Sequence, residues 1–295
     1  MHPPLSPQPA HKAQFAAICA RTPHNALIAA ECAHLTGGVP DADGFALCQS
    51  VEHIPQAAYL RTGLHILAQG ATPEELLQAV SQANFAADEF RVEFLSLALE
   101  KRISPQQTIL ALANAIPSYP NLKQPKHRFL LVERDNGLWF GEVVAECGHT
   151  YQSHDAKPHR TSTSLPSRIS RALVNLVVPG AGSVLDPCCG TGSILLEAQA
   201  LGVTVFGADQ NPVIVGMARE NLAHFGYFGL VEPADIRDYH RPADALVTDL
   251  PYGRLLAAEE TAVRTIIEHG RRLAPVAVYV AEHDLTDWLA AAGYG

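Results

Sequence analysis

The chain has 295 residues, 47 % of them apolar, which suffices for two domains with their own cores and excludes wholesale disorder. Its 21 Lys and Arg face 30 Asp and Glu, a net charge of −9. That balance argues against a protein that coats nucleic acid non-specifically, while leaving room for a local basic patch.

The first dozen residues, "MHPPLSPQPAHK", carry four prolines and no apolar stretch, so 1–12 reads as a flexible tail and not a signal peptide. No apolar run approaches the roughly 18–20 residues of a membrane span, so a soluble, cytoplasmic protein is expected. Six cysteines (Cys19, Cys32, Cys48, Cys147, Cys188, Cys189) show neither a C-x-x-C pair nor zinc-like spacing with histidine. Reduced thiols and no metal site are expected.

Up to about Glu146 the chain alternates strand-like and helix-like pieces. "FAAICAR" reads as a strand, and "NALIAAECAHLTGG" as a helix closed by Gly37-Gly38. In "PQAAYLRTGLHILAQG" Ala58, Leu60, Leu64 and Leu67 recur at helical spacing, which predicts a helix. "TPEELLQAV" opens with Thr72 as an N-cap and Pro73 at the first helical position. "FRVEFLSLAL" alternates like a strand, "SPQQTILALANAI" is another capped helix, and "HRFLLVERDNGLWFGEVVAE" is a hairpin around Asp135-Asn136-Gly137. This is an α+β region, in one module or two small ones joined near Gly70, and by itself it shows no chemistry.

From about Arg168 strands and helices alternate strictly. The pattern predicts an α/β, doubly wound parallel sheet, whose ligands bind beyond the carboxyl ends of the strands. Its first strand ends in "VLDPCCGTGS". Gly190 and Gly192 let a ligand approach the backbone amides, although a glycine-rich turn also serves packing alone. The form differs from the dinucleotide G-x-G-x-x-G, and a carboxylate at Asp186 suits a cationic methionyl group better than a pyrophosphate. Asp209 follows 23 residues later, where such folds place an acid for ribose hydroxyls. The third strand leads to Asp235, placed to accept from an adenine amine, with Ile236 beside it. The fourth ends at Asp249.

"TDLPYG" then follows. An exocyclic amine conjugated to its ring is a poor nucleophile. Its methylation needs a proton acceptor (Asp249), a carbonyl held rigid (Leu250, fixed by Pro251) and a flat surface for the base (Tyr252). The four-residue string alone is also compatible with a simple turn.

These residues resemble the amino-directed S-adenosylmethionine methyltransferases, whose signature is Asp/Asn/Ser-Pro-Pro-Tyr/Phe; here Leu250 takes the second position. Together with "DPCCGTGSILLEA" and "KPHRTSTSLPSRISRALVNL", "TDLPYG" resembles more narrowly the tRNA guanine-N2-methyltransferases that modify guanosine at the junction of the acceptor and D stems. The resemblance implies a class I methyltransferase domain over 168–295. Before it come a ferredoxin-like domain at 13–70, a THUMP-like RNA-binding domain at 71–147 and a linker at 148–167. It also implies S-adenosylmethionine as cofactor, held by Asp186, Cys188, Gly190, Thr191, Gly192, Asp209, Gln210, Asp235 and Ile236. Asp249, Pro251 and Tyr252 would be catalytic, and Lys157, His159 and Arg160 would touch substrate phosphates, with Thr163 and Ser164 near the cofactor carboxylate. The expected partner is tRNA, met by a monomer, and whether a small protein subunit assists is left open. Two other readings stay open: another amino acceptor (adenine in RNA or DNA, or a protein glutamine), and a non-catalytic RNA-binding scaffold that retains the cofactor.

Overall fold

The computed structural model describes residues 14–83, 85, 87–250 and 257–295, with side chains from Glu260 onward in the last segment. The expected tail at 1–12 lies outside them, as do Pro251 and Tyr252. Among the described residues no helix is long and apolar enough to cross a membrane. The chain divides into two units, one running to Pro55 and over Leu60–Cys147, the other comprising Gln56–Tyr59 and Gly148–Gly295.

The first unit is built on β1 (Gln14–Cys19), α1 (Asn25–Thr36), β2 (Phe45–Cys48), β3 (Leu60–Gly70), α2 (Pro73–Gln82), β4 (Phe90–Ser96), α3 (Pro105–Ala115), β5 (His127–Arg134) and β6 (Gly137–Glu146). Its strands form one six-stranded sheet in the order β2-β1-β3-β6-β5-β4, antiparallel except where β4 runs parallel to β5. The sheet continues across Gly70, whose Cα partner is Leu138, so the elements on both sides of that point share it. The α2 cap is reciprocal: the Thr72 hydroxyl accepts from Glu75 N at 3.2 Å, and Glu75 Oε2 accepts from Ala71 N at 2.8 Å.

The helix expected across 55–70 is instead chiefly β3, preceded by a 3₁₀ turn at Ile54–Gln56. Leu60 and Leu64, four apart, fit one face of a helix and equally one face of a strand, so their spacing does not decide. The neighbours decide. β1 pairs along one edge and β6 along the other, and a Cβ at Gly63 would meet Val51 and Ile54 at 2.8 Å.

The second unit holds α4 (Ser167–Asn175), β7 (Ser183–Asp186), α5 (Ser193–Ala200), β8 (Thr204–Asp209), α6 (Pro212–His224), β9 (Leu230–Pro233), β10 (Ala245–Asp249), α7 (Ala257–Leu273), β11 (Val276–Val280) and α8 (Thr286–Ala292). All five strands are parallel, in the order β11-β10-β7-β8-β9. The chain moves outward from β7 through β8 to β9, then returns to the other side of β7 as β10. The carboxyl ends of β7 and β10 therefore flank the point where the order reverses, the place such sheets offer a ligand.

A buried ion network ties α4 and α5 to the 3₁₀ segment Thr150–Ala156. Glu197, fully buried, accepts from His154 Nδ1 at 2.7 Å and from Arg171 Nε at 2.8 Å. Arg171 also reaches Gln56 O, and Arg168 donates to Ala58 O at 3.0 Å while lying over the Tyr59 ring. These arginines hold the interior of the unit together.

Candidate functional site

Two adjoining cavities open at the carboxyl ends of the second sheet and share Cys188 and Asp209. One, of about 300 Å³, is lined by Asp186, Gly190, Thr191, Ser193 and Asp249. The other, of about 490 Å³, is lined by Gln210, Asp235, Ile236, Arg237 and the α7 residues Thr261 and Thr265. The four aspartates read from the sequence thus meet on one rim, three of them as last residues of β7, β8 and β10.

Each aspartate has its own environment. Asp186 is 2 % exposed, accepts from Thr248 Oγ1 at 2.6 Å and from Cys188 N at 3.2 Å. Burial pushes its pKa up to about 7, and the Asp249 and Asp209 charges push the same way, while the Thr248 hydroxyl opposes them. Asp209 accepts from Gly190 N at 3.1 Å and Asn211 N at 2.9 Å, which pins the glycine turn to the end of β8.

Asp235 is gripped more completely than the sequence suggests. Arg237 gives it one guanidinium edge in a bidentate contact (Nε to Oδ1 at 2.9 Å, Nη2 to Oδ2 at 2.7 Å) and its own amide at 2.9 Å. Gln210 Nε2 adds a bond to Oδ2 at 2.8 Å. The Arg237 side chain and amide bonds hold the Asp235 carboxyl down at about 2. A ring amine seeking Asp235 therefore competes with donors already in place. Arg237 and Thr248 are the lining and supporting residues the sequence did not single out; the signal for Arg237 is its position two residues after Asp235, within reach of the carboxylate.

The glycine turn is open where a ligand would come near. Gly190 has φ +51° and Gly192 φ +83°, left-handed values that favour glycine. A Cβ at Gly190 would meet nothing within 4 Å, so that position borders free space, whereas one at Gly192 would press Ala218 at 3.3 Å. Cys188 and Cys189 have thiols pushed up by burial, Cys188 to about 12. Neutral thiols of this kind pack and do not attack. Among the described residues no group of His, Cys, Asp or Glu is arranged to hold a metal ion.

The basic segment needs a correction. Lys157, expected to meet phosphates, is 6 % exposed and donates from Nζ to Ser193 Oγ. His159 Nε2 pairs with Glu220 at 2.5 Å, and its backbone exchanges hydrogen bonds with Asn221. Arg160 stays at the surface, 3.7 Å from Asp155. The three residues thus do not present one cationic face. The hydroxyls of Ser164 and Thr191 meet at 3.0 Å on the rim of the smaller cavity.

Residues 155–276 match the family model of the RMKL-like methyltransferase domain. The tRNA (guanine(10)-N2)-dimethyltransferase of Methanothermobacter thermautotrophicus is 43 % identical over 108 residues, covering 34 % of this chain and 32 % of that protein. The enzyme of the same name from Pyrococcus abyssi is 34 % identical over 125 residues, covering 39 % of this chain and 38 % of its own. The chain thus spans only about a third of the length of these curated relatives. Among solved structures, TrmN from Thermus thermophilus aligns over 95 % of this chain and 91 % of its own, with 20 % identity and a TM-score of 0.46. The segment that builds both cavities is the part of the chain that matches a methyltransferase family.

Proposed function

We propose that this protein is an S-adenosylmethionine-dependent methyltransferase that acts on the exocyclic 2-amino group of a guanosine in tRNA. The observation that carries the reading is the joint presence of Asp186 and Asp249 on one small cavity beside an open glycine turn. Bound S-adenosylmethionine supplies an electrophilic methyl group. Asp186 offers a carboxylate to its methionyl ammonium, Asp209 accepts from ribose hydroxyls, and Gln210, Asp235 and Ile236 border the space for the base. Asp249 accepts a hydrogen bond from the acceptor amine and takes up charge as the amine becomes a nucleophile, with Leu250 offering its carbonyl. Pro251 and Tyr252, outside the described residues, are assigned from the sequence to rigidity and stacking. The α+β first unit is assigned to RNA, as a ferredoxin-like and THUMP-like region.

Nucleoside mass spectrometry after incubation of tRNA with enzyme and labelled cofactor tests the reading. Label on guanine N2 is expected; label on adenine alone, or none, overturns it.

Asp209→Ala should weaken binding of S-adenosylhomocysteine by about 1.5–3 kcal/mol, the range for hydrogen bonds to a charged group. Because Asp209 also holds Gly190 N, Asp209→Asn should recover part of the loss in calorimetry.

Asp186 gives the binding a pH dependence of known sign. Its folded pKa of about 7 lies above the unfolded carboxylate value, so the folded state keeps a proton that the unfolded chain has lost. The stability this group contributes is full at low pH and declines as pH rises towards about 7. Ligand binding runs the other way, since only the carboxylate holds an ammonium. Affinity for S-adenosylhomocysteine should climb from about pH 5.5 and level above about pH 7, with proton release on binding at the low end. Calorimetry in buffers of different ionisation enthalpy reads that proton. Thr248→Val should move the rise to higher pH, and Asp186→Asn should flatten it; an unshifted rise in Asp186→Asn would show that another group titrates.

A further inference from the structure

Lys157 is a buried cation with no ion-pair partner within salt-bridge distance among the described residues. The nearest acids are committed elsewhere: Glu197 accepts from His154 and Arg171, and Asp155 accepts from Ser167 N and lies 3.7 Å from Arg160. Buried ammonium groups are normally paired, because leaving water costs them several kcal/mol (about that order for an ion). Among the described residues the ammonium's only polar contact is to Ser193 Oγ, and Ser193 is 9 % exposed and lines the smaller cavity. With the ammonium donating to its oxygen, the Ser193 hydroxyl is left to donate its own proton. Ser164 and Thr191, hydrogen-bonded to each other, add hydroxyls to the same rim. Asp186 and Asp249 line the cavity as well. The cavity therefore carries both an anion-seeking and a cation-seeking set of groups.

We propose that Lys157, acting through Ser193, is the specificity determinant for the α-carboxylate of the cofactor's amino-acid end, so that the cavity selects a zwitterion. The inference rests on the cofactor reading above. Burial and the nearby Arg160 lower the Lys157 pKa to about 8, with Asp155 and Glu197 opposing, which leaves the ammonium largely charged at neutral pH. A carboxylate arriving at Ser193 would supply the counter-charge that the fold withholds. It would also explain why a lysine close in sequence to the surface residue Arg160 is turned inward.

The test compares two ligands that differ by one group: S-adenosylhomocysteine and its decarboxylated analogue. On the wild-type protein, calorimetry should find the analogue bound about 10- to 100-fold more weakly, the ratio expected for a hydrogen bond to a charged group. In Lys157→Met the parent ligand should lose a similar factor while the analogue is unchanged, so the discrimination collapses to about twofold. Ser193→Ala should show a smaller collapse of the same kind. A purely structural lysine would weaken both ligands alike. Melting temperatures establish folding, and if Lys157→Met does not fold, the wild-type ratio and Ser193→Ala decide. Equal binding of both ligands to the wild type, or full discrimination in a folded Lys157→Met, overturns the inference and leaves the cofactor reading standing. Failure of the wild type to bind either ligand overturns both.

Discussion

On the proposed reading, Asp249→Ala should cripple methyl transfer while leaving the fold and the affinity for S-adenosylhomocysteine close to wild type. The residue ends β10, the strand beside β7, and lines the smaller cavity. If Asp249 accepts from and positions the acceptor amine as proposed, losing it should cost about 10²–10⁴ in single-turnover rate. Asp249→Asn should retain part of the rate, because an amide oxygen still accepts a hydrogen bond. Asp249 is one of the charges that raise the Asp186 pKa, so Asp249→Ala should also shift the pH dependence of cofactor binding to lower pH. That shift places the two carboxylates in one electrostatic field. If Asp249→Ala instead lowers the melting temperature and turns over normally per folded molecule, the residue is a turn element and the catalytic assignment is wrong.

Glu197→Ala carries the largest expected effect on stability. The mutation leaves Arg171, 1 % exposed, without its carboxylate, and it removes the acceptor of His154. Breaking a buried pair by deleting one partner costs about 3–5 kcal/mol. Replacing both members, as in Glu197→Leu with Arg171→Met, should cost much less, since no orphaned charge remains. Urea denaturation of the three proteins, read by the midpoint at constant slope, measures the difference. A single-mutant loss below about 1 kcal/mol would mean that water reaches Arg171 despite its burial.

The sequence carried the second unit well because parallel strands of this kind are short, apolar and punctuated by the residues proposed for the site. Asp186, Asp209 and Asp249 stand at strand ends, where a period-based reading and a chemical reading agree. The first unit was harder. Leu60 and Leu64 satisfy two periodicities at once, and β3 is a strand because β1 and β6 pair with it, partners far away in sequence. The basic residues around Lys157 were harder still. The resemblance implied that Lys157, His159 and Arg160 touch phosphates, yet Lys157 is buried against Ser193 and Glu220 of α6 meets His159. The grip of Arg237 on Asp235 was invisible for a milder reason: spacing shows that two residues can meet and says nothing of whether a third, Gln210, joins them.

The reversal of strand order between β7 and β10 has a consequence for how such a protein can change. Asp186 and Asp249 are 63 residues apart in the chain (249 − 186) but sit on adjacent strands. On the proposed reading, the part that grips the donor and the part that selects the acceptor thus lie in separate stretches of chain, linked by the β7–β10 ladder, by the Thr248–Asp186 hydrogen bond and by the Asp249 charge acting on Asp186. A graft that exchanges the segment after Asp249 for one of different sequence, while keeping Thr248, should alter which amine is methylated and leave donor affinity untouched. Retargeting would then need a new segment after Asp249 with the Thr248 hydroxyl kept, and no redesign of the sheet.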